Sequence, residues 1–307
     1  MKGWRDEHAA QVLAAQDVLR RGSGACPPAD LLYSQWYAVG APPASDSRRW
    51  DAPVATAARA AHRGASHWAD AESEVVATGI AGVVVVATPR GRRALCRGEY
   101  VTTSGRPGFP PRVGDRVRSL GRLGAVVQDG WWRTWGTHWD LQQHSGPLLR
   151  VYLRPARGAV APLVQAVTTA LAEADSWMLK LAPSVDGLTR PDAVVTYLAG
   201  ALQHRDRDAV VAAVQGLTMG SPPPLTESLG DGIGWAEDPG TGESFGEVRC
   251  AAIAAAYAPL GGTRMSGQEW LHLVAEEFRC RGLDPAAPHR SAAGAGSVVV
   301  AATGGTR

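Results

Sequence analysis

Lysine is all but missing from this chain of 307 residues: only Lys2 and Lys180 occur, against 29 arginines. The four cysteines, Cys26, Cys96, Cys250 and Cys280, form no Cys-x-x-Cys pair and have no histidine at ligand spacing. That argues against a structural metal site and reads as free thiols in a reducing compartment. A Walker loop, a GxGxxG after a strand, an HExxH and a GxSxG are also missing, so the common nucleotide, zinc-protease and hydrolase readings lack their motifs. No basic-then-apolar leader opens the sequence, and no apolar run approaches about 18 residues, the length of a membrane span. The expectation is a cytoplasmic protein with no membrane partner and no cofactor. A net charge of +2 likewise predicts no nucleic-acid partner.

What is present is an ordinary globular composition, 45% hydrophobic and 20% charged, in a chain long enough for one large domain or two intimate ones. Residues 5 to 21 read as a helix, and DLLYSQWYAVG reads as a second one capped by Asp30. From residue 73 the period changes to β-branched runs broken by turns, as in EVVATGIAGVVVVATPRGRRALCRGEYV. The stretch 128 to 147 holds four tryptophans and two histidines, His138 and His144, and tryptophan at this density reads first as packing. Beyond it LLRVYLRP, WMLKLAP and DAVVTYLAG read as strands between helices. Residues 222 to 249 read as a long Gly/Pro-rich loop that presents Arg249 at a helix start. This divides the chain into a helical N-terminal region (1–70), a β-rich region (71–147), a core (148–285) and a flexible tail (286–307). The fold class is α+β, with a mixed or antiparallel sheet covered by helices.

Lys180 lies on the WMLKLAP strand. A lysine kept where nearly every other cation is arginine suggests work that arginine cannot do, and what arginine cannot do is release its proton. Arg150, Arg190 and Arg249 sit outside obvious surface runs, and Tyr152 and Tyr197 lie on strands. Period-two alternation puts Arg150 and Tyr152 on one face. Several arginines converging on a pocket match a phosphate group, and an amine among cations gives up its proton more readily. An amine base beside bound phosphate suits β-elimination from phosphoserine or phosphothreonine, with an acid on the leaving side. Asp192 reads as an orienting partner for an arginine, because a carboxylate facing phosphate would repel it. Ser244 shapes a loop whose backbone N–H groups could meet phosphate at a helix start.

The segments RVYL (150–153), MLKL, RPDAVVTYL (190–198), GDGIGWAEDP and SFGEVR (to 249) resemble the HopA-type effector family. AHRGASHW, CRGEYV, VGDRV and DGWWRTWG extend the likeness over roughly residues 30 to 258. The family includes plant-pathogen effectors and the lyase partners of kinase-like proteins in lanthipeptide and thioamitide clusters. The resemblance implies a phosphothreonine-lyase-like domain. Its substrate would be a ribosomally made precursor peptide, phosphorylated by an aminoglycoside-phosphotransferase-like kinase and converted here to dehydroalanine or dehydrobutyrine. A non-catalytic module that binds the leader peptide or the kinase is the alternative. Similarity to the more distant type III-secreted phosphothreonine lyases assigns Lys180 as base and Arg150, Arg190 and Arg249 as phosphate ligands, with Tyr197 in support. Those lyases use a histidine as acid where this chain has Tyr152, so Tyr152, His138 and His144 remain candidates for that role.

Overall fold

The computed structural model describes residues 3–22, 26–39, 51–63, 71–88, 91–106, 108–119, 125–128, 130–136, 139, 148–174, 176–238, 242–260 and 265–291. Helix α1 spans Asp6–Arg21, with acidic residues in its first turn and Arg20 and Arg21 in its last, which suits the helix dipole. Helix α2 (Pro28–Leu32) continues into a single π-helical turn, Tyr33–Tyr37. Asp30 is not its cap. Pro27 holds that position, because Pro28 has no N–H to satisfy and its ring presets the first helical turn. Helix α3 covers Ala52–Ala60.

Five short strands follow: β1 (Ser73–Thr78), β2 (Val84–Thr88), β3 (Gly91–Leu95), β4 (Tyr100–Thr102) and β5 (Arg116–Ser119). They form one antiparallel sheet in the order β3-β2-β1-β5-β4 around Val75, Val84, Val86, Leu95 and Val117. A second sheet carries the rest of the chain. Its members are β6 (Ala125–Gln128), β7 (Trp131–Trp135), β8 (Leu148–Leu153), β9 (Ser176–Leu181), β10 (Val194–Ala199), β11 (Glu227–Gly230) and β12 (Ile233–Glu237). Their order is β11-β12-β8-β10-β9-β7-β6, with antiparallel pairing throughout. The large sheet therefore takes two of its strands from before residue 148.

Both faces of its central strands are covered. One face, with Leu149, Val151, Leu179, Leu198 and Trp235, packs under α3, α4 (Val160–Ala170) and α5 (Gln203–Ala213). On the other, Tyr152, Val195 and Ala236 pack under α1, α2, α6 (Phe245–Tyr257) and α7 (Gly267–Cys280). Trp270 ties that layer together from a fully buried position, its Nε1 donating to the Val12 carbonyl at 2.9 Å. Burial of a side chain of this size is worth about 2–3 kcal/mol. Ser244 and Ser266 start α6 and α7 with capping boxes completed by Glu247 and Glu269, each typically worth about 1 kcal/mol.

Two expectations for the C-terminal third are corrected. Residues 222–249 are not one loop, since β11 and β12 form a hairpin within them and β12 pairs along β8. The Asp231-Gly232 step is the turn: Gly232 has φ +67°, a conformation open to glycine, and a Cβ there would meet the Met219 backbone at 2.7 Å. The tail is docked as far as residue 291. His289 accepts from the Glu237 amide at 2.8 Å through its carbonyl, and the Ser291 amide donates to Glu237 Oε2 at 2.7 Å.

Candidate active site

Antiparallel register brings the singled-out residues onto one face of the large sheet. On β10, Tyr197 stands opposite Arg150 of β8 and Met178 of β9, while Val195 stands opposite both Tyr152 and Lys180. Arg150 and Tyr152 face the small residues Ala236 and Gly234 on β12. The floor of the site is thus built from alternate residues of four neighbouring strands.

Lys180 is half-buried on this face and touches two rings. Its Nζ lies 4.6 Å from the centroid of Trp131 and 5.7 Å from that of Tyr197. Arg190 shares the Trp131 ring at 5.5 Å, and Arg150 shares the Tyr197 ring at 5.2 Å. Each ring so bridges two cations, an arrangement that offsets their mutual repulsion through the ring quadrupole.

Two of the arginines are clamped by carboxylates. Arg190 and Asp192, both buried, make a two-pronged pair through Nε and Nη2 at 2.8 Å each, which is the geometry expected of an orienting partner. Arg150 donates from Nε to Asp238 Oδ2 at 2.6 Å and from Nη2 to the Glu243 carbonyl at 3.2 Å. Burial alone would weaken its hold on its proton, but Tyr152, Tyr197 and Asp238 more than reverse that. Asp238 escaped the sequence reading although it ends the AEDP step; only the β8–β12 register shows that it meets Arg150.

Arg249 departs furthest from expectation. It lies one turn inside α6, is 0% exposed, and caps the docked tail. Its Nε and Nη2 donate to the Pro288 carbonyl at 3.2 and 3.0 Å, and Nη2 also reaches the Arg290 carbonyl at 3.2 Å. The guanidinium lies 4.0 Å over the Phe245 ring, and Nη1 is buried with no acceptor. Burial pulls its pKa down to about 10; the charge of Arg150 acts in the same direction and the hydroxyls of Tyr152 and Tyr37 oppose it. Room for this packing comes from Gly246, where a Cβ would meet the Tyr37 ring at 2.3 Å.

The two strand tyrosines differ. Tyr152 is 3% exposed, and its hydroxyl interacts with that of Tyr37. Burial pushes it up to about 12 against the pull of Arg150 and Tyr37. Tyr197 is partly buried. Burial would raise it too, but the charges of Lys180 and Arg150 and a hydrogen-bonding contact with Lys180 win, and its pKa is lowered. Tyr33, from the π-helical turn, reaches Arg190, Asp192 and Ser244, and burial pushes it well up. The Ser244 amide donates to Glu247 Oε2 at 2.6 Å and so is not available to a ligand. His138 and His144 lie outside the described residues. Among the described residues no group of three or more His, Cys, Asp or Glu could hold a metal, and no helix is long and apolar enough to cross a membrane.

Lys180, Arg150, Arg190 and Arg249 stand against Asp192 and Asp238, four cations to two carboxylates, which leaves these six side chains at +2. The stretch that carries them, from β7 to the docked tail, is also the stretch that matches a known family. The model of the HopA1 effector protein family covers residues 134–290, just over half of the chain. The protein belongs to that family. Its fold is shared with the effector protein from Pseudomonas syringae pv. tomato strain DC3000, at 13% identity and a TM-score of 0.51 over 93% of this chain and 98% of that one. The effector protein from Pseudomonas syringae pv. syringae strain 61 is similar over 53% of this chain and 63% of its own, at 20% identity and a TM-score of 0.42. No curated protein matches. All the described site residues of this HopA1-family chain fall inside the family match, apart from Trp131, Tyr33 and Tyr37.

Proposed function

We propose that this HopA1-family protein is a phosphoserine/phosphothreonine lyase acting on a ribosomally made precursor peptide that a separate kinase-like partner has phosphorylated. The observation that carries this reading is the +2 cluster with one amine at its centre. A phosphate monoester bears a charge of about −1.5 to −2 at neutral pH, which such a cluster balances. The carboxylates take one edge of Arg150 and of Arg190, which fixes each fork without filling it.

In this mechanism Lys180 Nζ removes the α-proton of the phosphorylated residue. The carbon–carbon double bond forms as the Cβ–O bond breaks, and its electron pair leaves on phosphate held by Arg150 and Arg190. Tyr197, beside both Lys180 and Arg150, gives the leaving oxygen its proton. Tyr152 is too enclosed to serve as that acid, and Arg249 supports the site from beneath rather than from its open side. The product is a dehydroamino acid to which a cysteine of the peptide could add.

The test is incubation of purified protein with a synthetic phosphothreonine peptide, followed by mass spectrometry. Loss of the elements of phosphoric acid, and later uptake of an added thiol, is expected from the wild type and not from Lys180→Ala. Simple hydrolysis to threonine, or elimination undiminished in Lys180→Ala, refutes the assignment. Saturable binding without turnover would mark a module that holds the peptide or the kinase.

A further inference from the structure

We propose that the five-stranded sheet is a docking site for an extended acidic stretch of the substrate peptide, at its edge strand β4 and the groove that Tyr100 of that strand helps to line. The proposal rests on the reading of the protein as a peptide-modifying lyase, and it concerns a region ahead of the family match at residues 134–290. Three independent features converge there.

The first is charge. Residues 71–119 contain eight arginines and four acidic residues, a net +4 in a chain whose total is +2, so the remainder carries −2. Arg92, Arg97, Arg106, Arg112 and Arg116 are exposed, and among the described residues none of their guanidinium groups is paired with a carboxylate. The second is apolar exposure. Of the eight large hydrophobic side chains exposed among the described residues, four lie in this module: Ile80 at 90%, Val113 at 63%, Phe109 at 50% and Val101 at 41%. Its own core is five buried aliphatic residues with Tyr100 packed against them, and these four lie outside it, Phe109 under the Arg106 guanidinium at 4.0 Å. The third is shape. A groove of 340 Å³ runs between the β1–β2 connection and residues 109–112, with Phe109, Pro110, Pro111 and Arg112 along one side. Tyr100 lines it as well, its hydroxyl fixed to the Gly82 carbonyl at 2.8 Å. Tyr100 also opens β4, which among the described residues pairs only with β5 and so leaves one row of backbone groups for an added strand.

A ligand that satisfies all three is an extended peptide in which carboxylates alternate with apolar side chains. Its backbone pairs with β4, its apolar side chains enter the groove, and its carboxylates meet Arg97 and Arg112. Nucleic acid fits less well, because the exposed apolar groups are chiefly valine and isoleucine, which offer bases nothing to stack on. Holding the peptide here would raise the local concentration of its phosphorylated residues at the Lys180 cluster, with no contact to the reacting group.

The experiment uses the full chain and fluorescence anisotropy. The probes are a fluorescein-labelled, unphosphorylated peptide alternating Glu with Leu and Val, its Lys-for-Glu counterpart, and an RNA oligonucleotide of similar length. Saturable binding of the acidic peptide alone is expected, weakened about tenfold or more in Arg97→Glu/Arg112→Glu and in Phe109→Ser. Both variants alter exposed side chains, and their folding is checked by thermal melting. No binding of the acidic peptide, equal binding to the variants, or tighter binding of the RNA overturns the proposal. A second measurement separates it from the lyase reading. A phosphothreonine peptide with an appended acidic stretch should have a lower KM than the bare phosphopeptide, with kcat unchanged, and the variants should abolish only that advantage. Equal KM for both substrates sinks the docking site while leaving the lyase intact; acidic-peptide binding with no elimination from either sinks the lyase instead.

Discussion

Tyr197→Phe is the sharpest probe of the proposed chemistry. The substitution removes one hydroxyl and keeps the ring that Lys180 and Arg150 approach at 5.7 and 5.2 Å. Those cation–ring contacts, worth about 0.5–2 kcal/mol each, survive. Only the contact of the partly buried hydroxyl with Lys180 is lost, and the stability change should stay within about 1 kcal/mol. Turnover should change far more. Loss of a general acid typically costs about 10²–10⁴-fold, which corresponds to about 3–5 kcal/mol of barrier. The assay compares two peptides, one losing phosphate and one carrying a β-leaving group that departs without a proton, such as S-(2,4-dinitrophenyl)cysteine. Tyr197→Phe should fail on the first and retain the second, while Tyr152→Phe should affect neither strongly. The pH profile supplies a further check. The acid must hold its proton to work, and the charge of Arg150, which persists when Lys180 acts as base, pulls the pKa of Tyr197 down against burial, so kcat should fall on the alkaline side as that proton is lost. Arg150→Gln removes that charge and should move the limb upward in pH. Equal losses on both peptides, or an alkaline limb that Arg150→Gln does not shift, would refute the assignment.

Other perturbations test the scaffold. Arg249→Leu should destabilise the fold by about 2–4 kcal/mol in chemical denaturation, since it strands the buried Pro288 carbonyl and removes the contact to that of Arg290; a change under about 1 kcal/mol would show the tail docking to be incidental. Gly246→Ala should cost about 1–3 kcal/mol and shift Tyr37 fluorescence, because its Cβ has nowhere to go but the ring; wild-type stability would disprove the close approach. Asp192→Asn leaves Arg190 buried and unpaired, so Tm should drop and KM for phosphopeptide should change more than kcat; an unchanged Tm would count against the buried pair. Burial pulls the pKa of His289 down to about 4, below its unfolded value near 6.5. The unfolded chain thus binds the extra proton first, and tail docking should weaken as pH falls from about 6.5 toward 4. Amide exchange over residues 284–291, corrected for intrinsic rates, should accelerate across that window in the wild type and flatten in His289→Asn.

Periodicity alone was enough to locate the strands bearing Arg150, Lys180 and Tyr197, because each alternates or runs apolar against a buried face. It failed between 222 and 249, where glycine and proline density hid an Asp-Gly hairpin whose second strand is as buried as any in the sheet. Arg249 was legible as unusual but not as interior, since burial of a guanidinium depends on carbonyls 39 and 41 residues away. Trp131 was absorbed into a run of tryptophans that reads as packing. Its neighbour Trp132 is indeed fully buried, yet Trp131 on the opposite face joins Lys180 to Arg190. Asp192 could be paired with Arg190 from two-residue spacing, whereas Asp238 and Arg150 meet only through strand register, which no local pattern encodes.

The docking of the last described residues has a practical consequence. Ser291 donates to the Asp238 carbonyl at 2.9 Å, and Asp238 is the residue that grips Arg150. At the opposite end, Arg5 reaches the Ala286 carbonyl at 3.2 Å and Glu227 at 2.6 Å, so the first and last described segments are stitched to one another. An affinity tag appended after residue 291 would emerge beside Asp238 and Arg150. A recombinant form trimmed ahead of residue 288 would lose both carbonyls that hold Arg249. Expression formats for assay should therefore carry their tag ahead of α1 and keep the chain intact through Ser291.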